Sequence, residues 1–167
     1  MCGIVGLIAK KKAKGFDSVH RRIFEQMLYI DALRGDDSTG MFMVTKDWDV
    51  HWAKSLDMPH AFIDHTANTG MFNKIIWDAL VVVGHNRKAT FGGVKEENAH
   101  PFIEDKTILV HNGTLRNHRD LNKDVAVDSH ALTHAIKEEG IHKALRKVNG
   151  AFALAVADVN NSELFLV

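Results

Sequence analysis

The run Leu80-Val81-Val82-Val83-Gly84 limits what this chain can fold into more than any other stretch. An unbroken β-branched run with no polar alternation reads as a strand covered on both faces. Thr107-Ile108-Leu109-Val110 has the same character. Further strands are predicted for Gly3 to Ile8, for Met41 to Val44, for Val50 to Ala53, and for a closing hairpin of Ala151 to Ala157 and Glu163 to Val167. Between them the apolar spacing is helical. Phe16, Val19, Ile23, Met27 and Ile30 mark one helix face ending at Gly35. Met58 to Leu80 predicts two short helices broken near Thr69-Gly70, with Phe62, Phe72 and Trp77 in the core. Asp128-Ser129 starts a helix whose apolar face is Ala131, Leu132, Ala135 and Ile136, and a second helix follows Gly140 from Ile141 to Val148. Strands flanking helical pairs at both ends favour antiparallel sheets covered by helices over a doubly wound parallel sheet.

A length of 167 residues suits one domain with a substantial core. Lys and Arg balance Asp and Glu at 21 each, so no nucleic-acid stripe or polybasic membrane patch is expected. Cys2 is the only cysteine, which excludes an internal disulfide and suits a reducing compartment. The apolar stretch after it is too short for a signal peptide or a membrane span, so a cytoplasmic location is expected.

Cys2 follows the initiator methionine and is small enough for removal of Met1 to be expected. A thiol and a free α-amine would then share one residue. The amine, with a pKa of roughly 7.7–8.0, can take the thiol proton. A buried, inert cysteine at the start of an ordinary strand fits the same six residues. Three polar segments adjoin apolar runs: Arg34-Gly35-Asp36-Asp37-Ser38-Thr39-Gly40, then His85-Asn86-Arg87-Lys88-Ala89-Thr90, then His111-Asn112-Gly113-Thr114. Each reads either as a solvated turn or as side chains presented to a ligand by a rigid scaffold. Asn112-Gly113 is predicted as a turn at a strand end, with helical character from Leu115 to Leu121.

Taken in order, Met1 to Gly6, Arg34 to Gly40, Gly84 to Thr90, Ala99-His100-Pro101-Phe102 with His111-Asn112-Gly113, and Gly150-Ala151-Phe152-Ala153 resemble the class II glutamine amidotransferases, which are N-terminal nucleophile (Ntn) hydrolases. The resemblance implies an α+β fold, a four-layer αββα sandwich of two antiparallel sheets with the nucleophile at the start of a central strand. It also implies a single type-2 glutaminase domain over residues 1–167, shorter than usual at its C-terminus. Glutamine is the implied substrate, and no cofactor or metal is implied. Cys2 matches the nucleophile, Asn112 and Gly113 the oxyanion donors, Arg87 with Thr90 the grip on the substrate carboxylate, and Asp128 the partner of its α-ammonium group. Arg34 and His100 match supporting positions around the site.

The chain departs from the family pattern at Lys88, where many relatives carry an aromatic residue, at Phe91 in place of a histidine, and at Ser129-His130 in place of Thr-Glu. These changes keep open a second reading, a weak or inactive member acting as a binding or regulatory protein. A third reading, a metal site on His130 and His134 one helical turn apart, lacks an obvious further ligand. No glycine-rich phosphate loop is present to hold an ammonia acceptor. The acceptor is therefore expected on a partner, a synthase subunit or a second copy of the chain, with the last strand as an edge it could cover.

Overall fold

The computed structural model describes residues 2–10, 14–68, 70, 76–90 and 92–167. The strands are β1 (Gly3–Ile8), β2 (Ser38–Thr45), β3 (Val50–Ser55), β4 (Ala79–Arg87), β5 (Phe102–Glu104), β6 (Thr107–Leu115), β7 (Gly150–Asp158) and β8 (Glu163–Leu166). The helices are α1 (Ser18–Asp31), α2 (Pro59–Asn68), α3 (His118–Leu121), α4 (Asp128–Glu139) and α5 (Ile141–Lys147). Two four-stranded sheets result, ordered β1-β4-β2-β3 and β5-β6-β7-β8. Every pairing is antiparallel.

Three apolar clusters define four layers. Phe24 and Leu28 of α1 and Phe62 and Ile63 of α2 pack on Met41, Met43 and Val82 of the first sheet. Phe42, Val44, Val81 and Val83 meet Ile108, Val110, Ala155 and Ala157 between the sheets. Leu132 and Ile136 of α4 with Ile141 and Ala144 of α5 cover Leu109, Leu154 and Val156 on the far side. This is the expected αββα sandwich. The β-branched run of β4 belongs to two of these clusters, as a strand covered on both faces must.

Several expectations are corrected. The buried face of α1 is Phe24, Leu28 and Asp31, whereas Val19, Ile23 and Ile30 are exposed. Two apolar stripes compete on this helix, and the one carrying the aromatic ring turns inward because it removes more apolar area from water. The helix also stops at Asp31, four residues before Gly35. Its start is set by Asp17, whose carboxylate accepts from the backbone N–H groups of Val19 and His20 at 2.9 Å. Trp77 is half exposed, Phe62 is buried, and Phe72 lies outside the described residues, as does most of the second helix expected before Leu80. Asn112 and Gly113 are not a turn. β6 runs through them to Leu115, with Asn112 opposite Ala153 and Gly113 opposite Phe152, and helix appears only at His118. β4 likewise continues through His85, Asn86 and Arg87. In its sheet β1 is an edge strand rather than a central one among the described residues.

The start of β1 is fixed by close approach. A Cβ at Gly3 would lie 1.7 Å from Asp31 Oδ1. Asn86 Nδ2 donates to Leu28 O at 2.8 Å and to Asp31 Oδ2 at 3.1 Å, tying β4 to the end of α1. Arg34 Nε donates to Cys2 O at 3.1 Å. Gly3→Ala is therefore expected to destabilise the fold by about 1–3 kcal/mol through overpacking. Urea unfolding should also show Gly3→Ala costing less in an Asp31→Ala background than in the wild type. A wild-type midpoint for Gly3→Ala would show that the contact is not tight.

Candidate active site

Cys2 lies just ahead of the β1–β4 pairing that sets Gly3 opposite Asn86. Its sulfur sits between both backbone polar groups of Lys88, with Lys88 N–H donating to Sγ at 3.3 Å and the thiol facing Lys88 O at 3.4 Å. Burial pushes the thiol up from its ordinary value, against the Lys88 N–H and the positive charge of Arg87. The resting group is therefore a thiol that needs a proton acceptor before it can attack.

The Arg34 to Gly40 segment straps the end of β4. Asp37 N–H donates to Arg87 O at 2.9 Å, and Asp37 Oδ2 accepts from Ala89 N–H at 2.7 Å. Lys88 Nζ reaches Asp36 at 2.7 Å and Asp37 at 3.4 Å. Lys88 thus lies across this loop, its backbone against Cys2 and its ammonium on two carboxylates. Arg87 is buried, and Nη1 donates to Gly93 O at 2.8 Å. Desolvation pulls its guanidinium down from its usual value, while Cys2, Asp37 and Asp128 act in the opposite direction.

Asp128, the first residue of α4, is buried. Its Oδ2 accepts from Leu115 N–H at 2.9 Å and its Oδ1 from Ser129 N–H at 2.9 Å. Oδ1 also faces the Ser129 hydroxyl at 3.5 Å, and Oδ2 keeps a second lone pair for a ligand. Gly113 has φ +154°, and a Cβ there would meet Ala151 O at 2.2 Å. Only glycine fits this position.

Cys2, Arg87, Lys88, Thr90, His100, Gly113 and Asp128 line one cavity of about 20 Å³. Six of the eight positions singled out in the sequence therefore converge. The other two do not line it. Arg34 holds the backbone of Cys2, and Asn112, between the cavity-lining His111 and Gly113, belongs by strand alternation to the opposite face of β6. Phe91 lies outside the described residues, as does Met1.

Sequence reasoning gave no role to His85, His111 or Ser129. Alternation along β6 was the available signal, because it puts His111 on the face of Gly113 and Leu109. His85, His100 and His111 are all buried, with the first two rings 4.0 Å apart and the second and third 6.5 Å apart. Desolvation lowers all three, His85 to about 3 and His100 well below its ordinary value, and neighbouring positive charge depresses the first two further. His130 and His134 instead meet one carboxylate, Glu104, at 3.2 and 2.8 Å. No group of three His, Cys, Asp or Glu among the described residues could hold a metal ion.

The buried histidines make stability acid-sensitive. Unfolded, each takes up a proton near pH 6.5, whereas the folded chain resists protonation until lower pH. Their contribution is complete above pH 6.5 and is lost as pH falls toward the folded values, about 3 for His85. Urea unfolding between pH 7 and 5 should lose stability as pH falls, on the order of 1 kcal/mol per pH unit for His85. His85→Gln should flatten that slope, and a flat wild-type profile would show that the rings are not held neutral.

The family described as glutamine amidotransferase domain matches residues 85–167. The glutamine–fructose-6-phosphate aminotransferase of Idiomarina loihiensis is 27% identical over 100% of this chain and 28% of its own length. That of Xanthomonas campestris pv. campestris is 33% identical over 53% of this chain and 17% of its own. A solved structure of the allosteric regulatory enzyme of purine biosynthesis superposes with a TM-score of 0.62 at 21% identity, over 92% of this chain and 34% of that one, a likeness of fold. The chain spans about 28% of the length of the curated relatives that match all of it. No helix among the described residues is long and apolar enough to cross a membrane. By its αββα sandwich, the family match over residues 85–167 and relatives aligned over its whole length, the chain is similar to glutamine amidotransferase domains.

Proposed function

We propose that this domain hydrolyses the side-chain amide of glutamine to glutamate and ammonia through a thioester on Cys2. The observation that carries this reading is the single cavity shared by Cys2, Arg87 and Asp128. A thiol there lies beside one group suited to a carboxylate and one suited to an ammonium, the two charged ends of an amino acid, which supports this reading. Cys2 attacks the amide carbon as thiolate, with its free α-amine taking the thiol proton and passing it to the departing ammonia. Water then cleaves the thioester. This route requires removal of Met1. Gly113 N–H and the Asn112 side-chain amide serve as oxyanion donors in this reading, and Asn112 must approach from the inter-sheet side of β6.

A volume of about 20 Å³ holds one water and not a glutamine, so substrate entry requires the cavity wall to move. The exposed wall residues are Lys88 and Thr90, and they lead into Gly92 and Gly93, both at positive φ. The small volume of the cavity is also the one observation that favours a binding or regulatory member without turnover. Ammonia is proposed to pass to an acceptor held outside this domain, by a synthase portion or subunit or by a second copy. Support comes from relatives named as aminotransferases, in which the matched segment is about 28% of the protein.

Cys2→Ala should abolish ammonia release from glutamine, and a glutamine analogue should label Cys2 in wild-type chain lacking Met1, read as intact mass. An active chain that retains Met1 would remove the α-amine from the mechanism. An unlabelled Cys2 would favour the binding role.

Arg87 and Asn112 separate by kinetics. Arg87 touches the non-reacting end of the substrate, and charge-assisted hydrogen bonds contribute roughly 1.5–3 kcal/mol, so Arg87→Ala should raise KM by at least about tenfold. Asn112→Ala should lower kcat by roughly 10²–10³, as loss of an oxyanion donor does. A change confined to KM for Asn112→Ala would assign that residue to shaping β6.

A further inference from the structure

The cavity beside Cys2 contains more polar chemistry than glutamine recognition uses. His100 and His111 line it with only 3% and 2% of their surfaces exposed. His100 Nδ1 and Nε2 and His111 Nε2 have no hydrogen-bond partner among the described residues. A buried polar atom left so costs about 1–3 kcal/mol, and a water needs only about 10–15 Å³ with two to four polar neighbours. The cavity of about 20 Å³ meets that requirement for one water.

His111 is held in one orientation from behind. Its Nδ1 lies 2.8 Å from Ser129 Oγ, and that hydroxyl lies 3.5 Å from Asp128 Oδ1. A hydroxyl directed at a carboxylate, which only accepts, receives the Nδ1–H of the imidazole, and this leaves Nε2 as a lone pair. The space in front of Nε2 exists because residue 113 is glycine, since a Cβ there would sit 2.9 Å from it. Burial keeps the ring neutral and able to accept.

From this geometry we infer that His100 and His111 hold a single water beside Cys2, with Ser129 fixing His111 to accept from it, and that this water resolves the thioester. The inference rests on the glutaminase reading. The water oxygen forms a bond to the thioester carbonyl carbon, the C–S bond breaks, and its electron pair returns to Sγ. One water proton passes to the Cys2 α-amine and on to the sulfur, and the other stays on the new carboxyl group, which ionises. His111 takes no proton. It is a positioning residue, and Ser129 positions it in turn.

Ser129→Ala keeps the ring and removes its anchor. With glutamine it should lower kcat between about tenfold and a hundredfold, the scale of a misplaced reactant. The γ-glutamyl thioester should accumulate by rapid-quench intact mass, and added hydroxylamine should capture a larger share of acyl groups than in wild type. Labelling of Cys2 by a glutamine analogue should keep its rate, and Ser129→Thr should restore turnover. Wild-type partitioning in Ser129→Ala, or equal loss of labelling and turnover, would overturn the inference. Histidine ¹⁵N NMR gives an independent reading, with His111 expected as the Nδ1–H tautomer in wild type. An Nε2–H tautomer would overturn the water site whether or not the chain turns over glutamine. A wild-type chain that shows the expected tautomer but neither labels nor releases ammonia would overturn the glutaminase reading and the water's hydrolytic role, leaving the water site itself.

Discussion

The contact between Gly3 and the carboxylate of Asp31 is the constraint on which the site depends. A glycine at the head of β1 lets the end of α1 approach closely, and Asn86 then joins α1 to β4 through one side chain. Cys2, Arg87 and Lys88 inherit their positions from that junction. Burial raises the Asp31 carboxyl above its ordinary value, with the Asn86 hydrogen bond opposing the shift. A buried acid is tolerated here because it meets a donor and because no larger residue at position 3 could share the space.

The second sheet supplies the rest of the site by a different device. β6 and the N-terminus of α4 meet at Leu115, whose N–H is bound by Asp128, and the following Ser129 reaches back to His111. One strand and one helix are thereby locked in register across the cavity. Desolvation does two jobs here. It keeps the imidazoles neutral and the thiol protonated, so the resting site contains Arg87 as a charge and few mobile protons.

The layered fold was legible because β4 and β6 contain β-branched runs that no exposed strand would carry. Cys2, Arg87, Thr90, Gly113 and Asp128 were legible through motif order, which carries chemistry even when strand boundaries are misplaced. The strand ends were not legible. Asn112-Gly113 has the composition of a hairpin turn, and only the ladder with Phe152 and Ala153, distant in sequence, keeps it extended. The inward face of α1 was equally hidden, since two apolar stripes share that helix and tertiary packing chooses between them. Trp77 was assigned to the core by size alone, although large aromatic residues are often only partly buried. The histidine cluster was missed because its members lie on β4, before β5 and on β6, and only pairing across both sheets brings them together.

That distribution divides the site into parts with different freedom. Cys2, Asn86, His111, Gly113 and Asp128 sit on or against paired strands and a helix start, where ladder and capping bonds resist displacement. Lys88 and Thr90 are exposed and lead to Gly93, around which a side chain would meet nothing within 4 Å. A cavity too small for its proposed substrate can widen where the Lys88 side chain swings away, because its bonds to Asp36 and Asp37 are solvent-exposed and cost little to break. Lys88 therefore holds the wall through its side chain by a weak ionic contact, while its backbone anchors Cys2.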